Sequence, residues 1–175
     1  MDDFSYHRPK DVEEAISLYQ SADDPMYLSG GMTLIPTMKQ RLAEPTDVID
    51  LSGLRELTGV KSSKDRLSIG AFTRHNDVAN HEAIQAKLPV LSKLAAGIGD
   101  NQVRNRGTIG GSIANSDPAA DYPAAVVGLG ATIITQQREI AGDDFFLDLF
   151  ETALEPGEII LKIDFPIPNR AAYKK

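Results

Sequence analysis

The residues of this sequence best suited to chemistry are two glycine pairs, Gly30-Gly31 and Gly110-Gly111. The first lies in Ser29-Gly30-Gly31-Met32-Thr33, the second in Gly107-Thr108-Ile109-Gly110-Gly111-Ser112-Ile113-Ala114-Asn115. Glycines beside small hydroxylated residues let a backbone approach a ligand closely and aim N–H groups at it. A pyrophosphate suits such a surface, because each N–H to a charged oxygen is worth about 1.5–3 kcal/mol. From Gly107 to Gln137 there is no Lys or Arg, and the only acids are Asp117 and Asp121. Gly-Gly pairs also serve as plain turns; two of them with hydroxyl neighbours, the first opening a helix at a ready anion site, favour a ligand. The common nucleotide fingerprints are missing. There is no GxxxxGK[ST], and Gly97-Ile98-Gly99 and Gly128-Leu129-Gly130 lack the third glycine of a Rossmann turn.

Other candidates carry less. Asp117 and Asp121 could pass for an acid–base pair, but with Pro118 and Pro123 nearby a helix cap is the better reading of Asp117. Asp121 suits a sugar hydroxyl better than a phosphate. Arg104 and Arg106 could pair with a phosphate or a partner protein, although exposed loop arginines are more often plain solvated charge, and His75, after Arg74 at a helix start, needs no role beyond local polarity. No GxSxG or Ser/His/Asp pattern supports hydrolysis.

Composition narrows the classes further. The 175 residues contain no cysteine, which excludes thiolate zinc, cysteine-ligated clusters and cysteine nucleophiles in this polypeptide. An electron-transfer cluster would have to sit on a partner chain. His7, His75 and His81 show no metal-ligand spacing. A formal charge of −7 lacks the cationic footprint of a nucleic-acid binder. With Met1-Asp2-Asp3 at the start and no apolar run of about 20 residues, no membrane span is expected and the chain reads as cytoplasmic.

The elements that must position the glycines follow from periodicity. Val12, Ala15, Ile16 and Tyr19 define a first helix with acids on its first turn. A strand over Met26–Ser29 leads into Gly30-Gly31, and a second helix carries Leu34, Ile35, Met38 and Leu42 on one side. A strand at Asp47–Leu51 completes a small α/β lobe. Thereafter come strands around Val60 and Leu67–Ile69, helices at 76–80 and 89–96, and a long irregular stretch from Gly97 to Pro118. A helix at 122–129 and strands at 131–135 and 158–165 follow. This mixture indicates an α+β second lobe. The expected division is 1–55 and 56–175.

Several ordered motifs resemble the flavin-binding (medium) subunits of molybdenum hydroxylases, the carbon monoxide dehydrogenase and xanthine dehydrogenase group. They are Phe4-x-Tyr6-x-Arg8-Pro9, the run Leu28 to Lys39, Ile69-Gly70-Ala71, Arg104 to Ala114, Asp117-Pro118-x-x-Asp121 and Leu154-x-Pro156-Gly157-Glu158-Ile159-Ile160. The resemblance implies an α+β FAD-binding domain of the vanillyl-alcohol-oxidase (PCMH) type, with FAD between a small α/β lobe and a larger α+β lobe. It also implies partners: a large subunit holding molybdopterin and a small one holding two [2Fe–2S] clusters. This chain would carry no substrate-oxidising residues.

By the same resemblance, Ser29, Gly30, Gly31, Met32 and Thr33 form a first pyrophosphate loop. Thr108, Ile109, Gly110, Gly111 and Ser112 form a second, with Ser112 where many members carry Asn. Ile98, Gly99 and Ile160 line the flavin, Asp121 faces its polyol region, and Tyr173 and Lys174 form a terminal aromatic–basic pair near it. Members continue into a further C-terminal domain, which this sequence is expected to lack. Two other readings stay open: a stand-alone flavin oxidase or reductase of the same fold, and a non-catalytic scaffold whose glycines are merely turns.

Overall fold

The computed structural model describes residues 3–174. Its first part alternates β1 (Ser5–His7), α1 (Val12–Ser21), β2 (Pro25–Leu28), α2 (Leu34–Lys39) and β3 (Asp47–Asp50). The strands form one sheet in the order β1-β3-β2, both pairings parallel. Helix α1 starts where the Asp11 carboxylate accepts from the Glu14 N–H at 2.8 Å, while Glu14 Oε2 accepts from the Lys10 N–H. Helix α2 is shorter than its apolar spacing predicts. The Arg41 N–H donates to the Met38 carbonyl and the Leu42 N–H to that of Thr37, closing a Schellman end with Arg41 at φ 57. Leu42 consequently leaves the apolar side and stands 75% exposed.

The second part contains β4 (Val60–Ser62), β5 (Arg66–Gly70), α3 (His75–Asn80), α4 (Glu82–Lys87), α5 (Pro89–Ala96), α6 (Asn101–Arg104), α7 (Ile109–Asn115) and α8 (Tyr122–Gly128). It ends with β6 (Thr132–Thr135), β7 (Glu139–Ala141), α9 (Gly142–Phe145), β8 (Phe146–Asp148), β9 (Glu151–Thr152) and β10 (Ile160–Pro166). Five strands form an antiparallel sheet ordered β4-β5-β10-β6-β7. Ile163 and Phe165 of its central strand β10 are fully enclosed with Leu91 of α5 and Ile109 and Ile113 of α7. A smaller core joins Ala15 and Ile49 to Leu54, Leu57 and Ile159, so the first sheet is sealed by residues from far along the chain.

Three local expectations need correction. The stretch 97–118 is not irregular: Asp100 caps α6 by accepting from the Val103 N–H, and Thr108 Oγ1 caps α7 by accepting from the Gly111 N–H at 3.1 Å. Two adjacent glycines lower intrinsic helix propensity, and packing of α7 against β10 overrides it. Helix α4 is an element the sequence expectations lack; it is separated from α3 by the single residue His81, whose Nδ1 accepts from the Ala83 N–H. Asp117 caps no helix. Its Oδ1 accepts from the Ala119 N–H in an Asx turn, and Asp121 occupies the position before α8 without a capping bond.

Candidate functional site

The two glycine segments meet. Ser29 Oγ and Thr108 Oγ1 are hydrogen-bonded at 2.7 Å, joining residues 79 apart in sequence. Gly30 lies so close to the next segment that a Cβ on it would stand 2.2 Å from the Arg106 carbonyl oxygen and 2.8 Å from Gly107 Cα. Gly31 has φ 74, a left-handed conformation that admits the sharp exit from β2 toward α2. A Cβ on Gly111 would meet Thr108 Oγ1 at 2.9 Å and the Ser29 Cβ at 3.4 Å.

The segments differ in what they offer. Among the described residues, the backbone N–H groups of Gly31, Met32 and Thr33 have no protein acceptor. Those of the second segment are engaged: Ile109 donates to the Thr73 carbonyl, Gly110 to that of Ala71 at 2.8 Å, and Gly111 to Thr108 Oγ1. The sequence-based picture of outward N–H groups on both segments therefore needs amending. Gly110 serves close packing, since a Cβ there would stand 2.6 Å from that of Ala71. The second segment contributes hydroxyls and bare Cα surface.

Both segments open on one cavity of about 830 Å³. Cofactor and ligand sites commonly measure about 300–1,000 Å³. Ser29 through Thr33, Ile98, Thr108, Gly110, Gly111, Ser112 and Ile160 all line it. Among the described residues, no lysine or arginine does. The other expected residues lie elsewhere. Ile109 is wholly buried in the larger core, and Gly99 is not part of the wall. Tyr173 donates to the Asp121 carboxylate away from the cavity, where the tail crosses α5 and α8; Lys174 is exposed.

Sequence reading missed three further parts of the wall. Tyr19 and Tyr27 stack with centroids 4.9 Å apart, and the Tyr27 hydroxyl donates to the Gly157 carbonyl at 3.2 Å. Their positions at different elements, α1 and β2, carried no joint signal. His75 also lines the cavity although its residue is only 4% exposed; its N–H holds the Gly107 carbonyl at 3.0 Å. Among the described residues its Nδ1 has no partner, its ring lies 5.3 Å from that of Tyr122, and burial lowers its pKa to about 4, so the imidazole is neutral at pH 7. Arg104 is likewise not idle charge. Its guanidinium donates to the carbonyls of Ile98 and Gly99, pinning that wall.

The third part is the turn from Leu154 to Ile159, which the family motifs include but to which they assigned no place in the wall. Glu158, with no side-chain exposure, anchors it by accepting from Arg138 Nε at 3.1 Å and Nη2 at 2.9 Å, from Thr135 Oγ1 at 2.7 Å and from the Glu155 N–H at 2.8 Å. Burial alone raises a carboxyl pKa; here the donors, Arg138 foremost, outweigh it and hold Glu158 below its ordinary value. Arg138→Ala would strand that carboxylate. Because the arginine side chain is 42% exposed, the expected loss is about 2 kcal/mol rather than the 3–5 of a fully enclosed pair, read as a lowered urea midpoint at pH 7. The Glu158 contribution is present above its unfolded pKa and lost as pH falls through the depressed folded one. The wild-type and variant midpoints should therefore converge in acid.

Residues 2–168 match the family described as the FAD binding domain in molybdopterin dehydrogenase. The chain belongs to this family. It is 38% identical to the glyceraldehyde dehydrogenase medium chain of Sulfolobus acidocaldarius, the match covering 99% of this chain and 64% of that one. It is 40% identical to the carbon monoxide dehydrogenase medium chain of Hydrogenophaga pseudoflava, covering 93% and 58%. The solved carbon monoxide dehydrogenase from that organism, lacking the Mo-pyranopterin moiety, superposes with a TM-score of 0.92 over 95% of this chain and 60% of that one, at 40% identity. Quinoline 2-oxidoreductase from Pseudomonas putida 86 superposes with a TM-score of 0.93 at 32% identity, covering 96% of this chain and 60% of that one. This flavin domain thus spans about three-fifths of the relatives' length, and its α+β architecture is theirs.

The residues fit the cofactor the family binds. FAD needs a site for its diphosphate, and three unengaged N–H groups beside three hydroxyls (Ser29, Thr108, Ser112) meet that need without a cationic side chain. The ring needs apolar walls, and Ile98 and Ile160 are apolar residues of this cavity's lining.

Proposed function

We propose that this domain is the electron-transfer part of a molybdenum-containing hydroxylase or dehydrogenase, taking electrons from [2Fe–2S] clusters on a small partner subunit. A large partner subunit holds molybdopterin and oxidises the substrate. The electrons leave to an external acceptor such as NAD, a quinone or oxygen. The observation that carries the reading is the Ser29–Thr108 junction, where two glycine segments close one side of a cavity of cofactor size. Bound FAD supplies the redox chemistry, because a flavin accepts electrons singly and surrenders them as a pair.

In this reading the chain's own residues bind and enclose. The N–H groups of Gly31, Met32 and Thr33 hold the diphosphate, helped by the three hydroxyls; Ile98 and Ile160 keep water from the ring. Residues 1–55 and 56–175 act as the two lobes that sandwich it, in the cytoplasm. Among the described residues no helix is long and apolar enough to cross a membrane.

Adding FAD to the purified chain should quench flavin fluorescence and raise the melting temperature, by about 2.7 kcal/mol of stability at 100-fold excess over Kd. An unchanged melting temperature at millimolar FAD would remove the cofactor reading. Reduction of the bound FAD by the assembled partner subunits tests the electron route separately. Turnover of a small substrate by this chain alone would instead support a stand-alone oxidase or reductase.

A further inference from the structure

Among the described residues, three of the seven exposed large apolar side chains lie together in sequence outside the cavity, on the hairpin formed by β8 and β9 and at its tip. Leu147, Leu149 and Phe150 are 59%, 66% and 63% exposed. The base of this hairpin is fixed: Phe145 is wholly buried, and Phe146 packs on it edge-to-face at 5.1 Å. The tip is fixed too. Phe150 has φ 58, unusual for a bulky residue, and its N–H donates at 3.0 Å to the carbonyl of Ser116, itself at φ 47. Such a conformation is costly and persists where surrounding bonds impose it. The chain therefore holds three water-exposed apolar side chains on a rigid, strained support, which a folding requirement does not explain.

The charge around the tip selects the occupant. Between Arg138 and Lys162 the sequence has seven carboxylates and no cation; Asp148 and Glu151, paired across the hairpin, flank its tip and are exposed, as are Asp143 and Asp144 at its base, while Glu158 is buried against Arg138. A second copy of this chain would bring the same acidic rim against itself, and an anionic lipid surface would be repelled. A protein presenting an apolar socket ringed by Lys and Arg is complementary on both counts.

Position narrows the partner further. Thr152 of β9 and Leu154 and Glu155 beyond it line the cavity, so the tip stands only two residues, about 7 Å of extended chain, from its wall. We propose that this hairpin is the surface on which the iron–sulfur partner docks, its apolar tip in a basic-rimmed socket beside the flavin cavity. The identity of the partner rests on the reading of the preceding subsection; the socket chemistry does not.

The test uses the complex assembled with its partner subunits. Leu149→Lys should weaken association with the [2Fe–2S] subunit at least tenfold, measured by sedimentation. Phe150→Gly suits the left-handed backbone, so it should hold or raise the melting temperature while weakening association similarly. Wild-type association should weaken with added salt. A photo-crosslinking side chain at Leu147 should capture the [2Fe–2S] subunit. Unchanged affinity in both variants overturns the proposal, as does capture of the molybdopterin subunit, of a second copy or of another part of the same polypeptide. FAD content is measured in parallel. Variants that lose the partner but keep FAD support the docking surface; a wild-type chain that binds the partner without FAD leaves the surface standing and removes the cofactor reading.

Discussion

Gly30→Ala is expected to weaken FAD binding about 100-fold, equivalent to about 2.7 kcal/mol, although alanine adds only one methyl group. That methyl group would lie 2.2 Å from the Arg106 carbonyl oxygen and 2.8 Å from Gly107 Cα, and neither atom belongs to a side chain that can rotate away. The Ser29–Thr33 segment must withdraw by roughly 1 Å, which breaks the 2.7 Å Ser29–Thr108 bond and turns the free N–H groups away from the hydroxyls opposite. Overpacking of this kind costs about 1–3 kcal/mol of stability as well. Gly128→Ala is the matching control. Its Cβ would meet nothing within 4 Å, and it ends α8, so the change should leave binding alone and be neutral or stabilising by up to about 1 kcal/mol. FAD affinity within twofold of wild type for Gly30→Ala, by fluorescence titration, would show that the junction does not form the cradle.

The second large effect concerns His75. Its folded pKa of about 4 lies below the ordinary 6.5 because burial opposes the charged form, so the unfolded chain binds more protons between those values. Stability from this residue is fully present above pH 6.5 and is lost as pH falls toward 4, on the order of 3 kcal/mol in all. Urea midpoints from pH 7 to 4.5 should fall steeply for the wild type. His75→Leu should flatten that slope while keeping the backbone bond to Gly107; its Nδ1 has no partner to lose. Parallel slopes for the two proteins would mean that the imidazole is reachable by solvent. All other titrating groups are common to the two proteins, so the difference between their slopes isolates the histidine.

Much of the scaffold was legible because it rests on local patterns. The Val12–Tyr19 spacing gives α1, with Ala15 buried, and the Leu91 and Leu94 spacing gives α5. The glycine pairs were legible because there are two of them, each beside small hydroxylated residues and the first opening a helix, which favours a ligand over plain turns. Helix α7 was not, since its glycines argue against the helix that tertiary packing imposes. Tyr19 and Tyr27, and the place of the 154–159 motif in the wall, escaped for another reason. The Tyr27–Gly157 bond joins residues 130 apart, and no local pattern encodes such a distance.

By itself the sequence determined which segments can approach a phosphate, that these 175 residues offer no cysteine chemistry, and which family the motifs resemble. Only the tertiary structure decided which of those segments still has N–H groups to offer. Backbone donors are consumed wherever a neighbouring carbonyl comes within reach, as Ala71 does for Gly110, while Gly31 through Thr33 are left unengaged. Whether a carbonyl comes within reach depends on how distant strands and helices pack, and residue types alone do not contain that information.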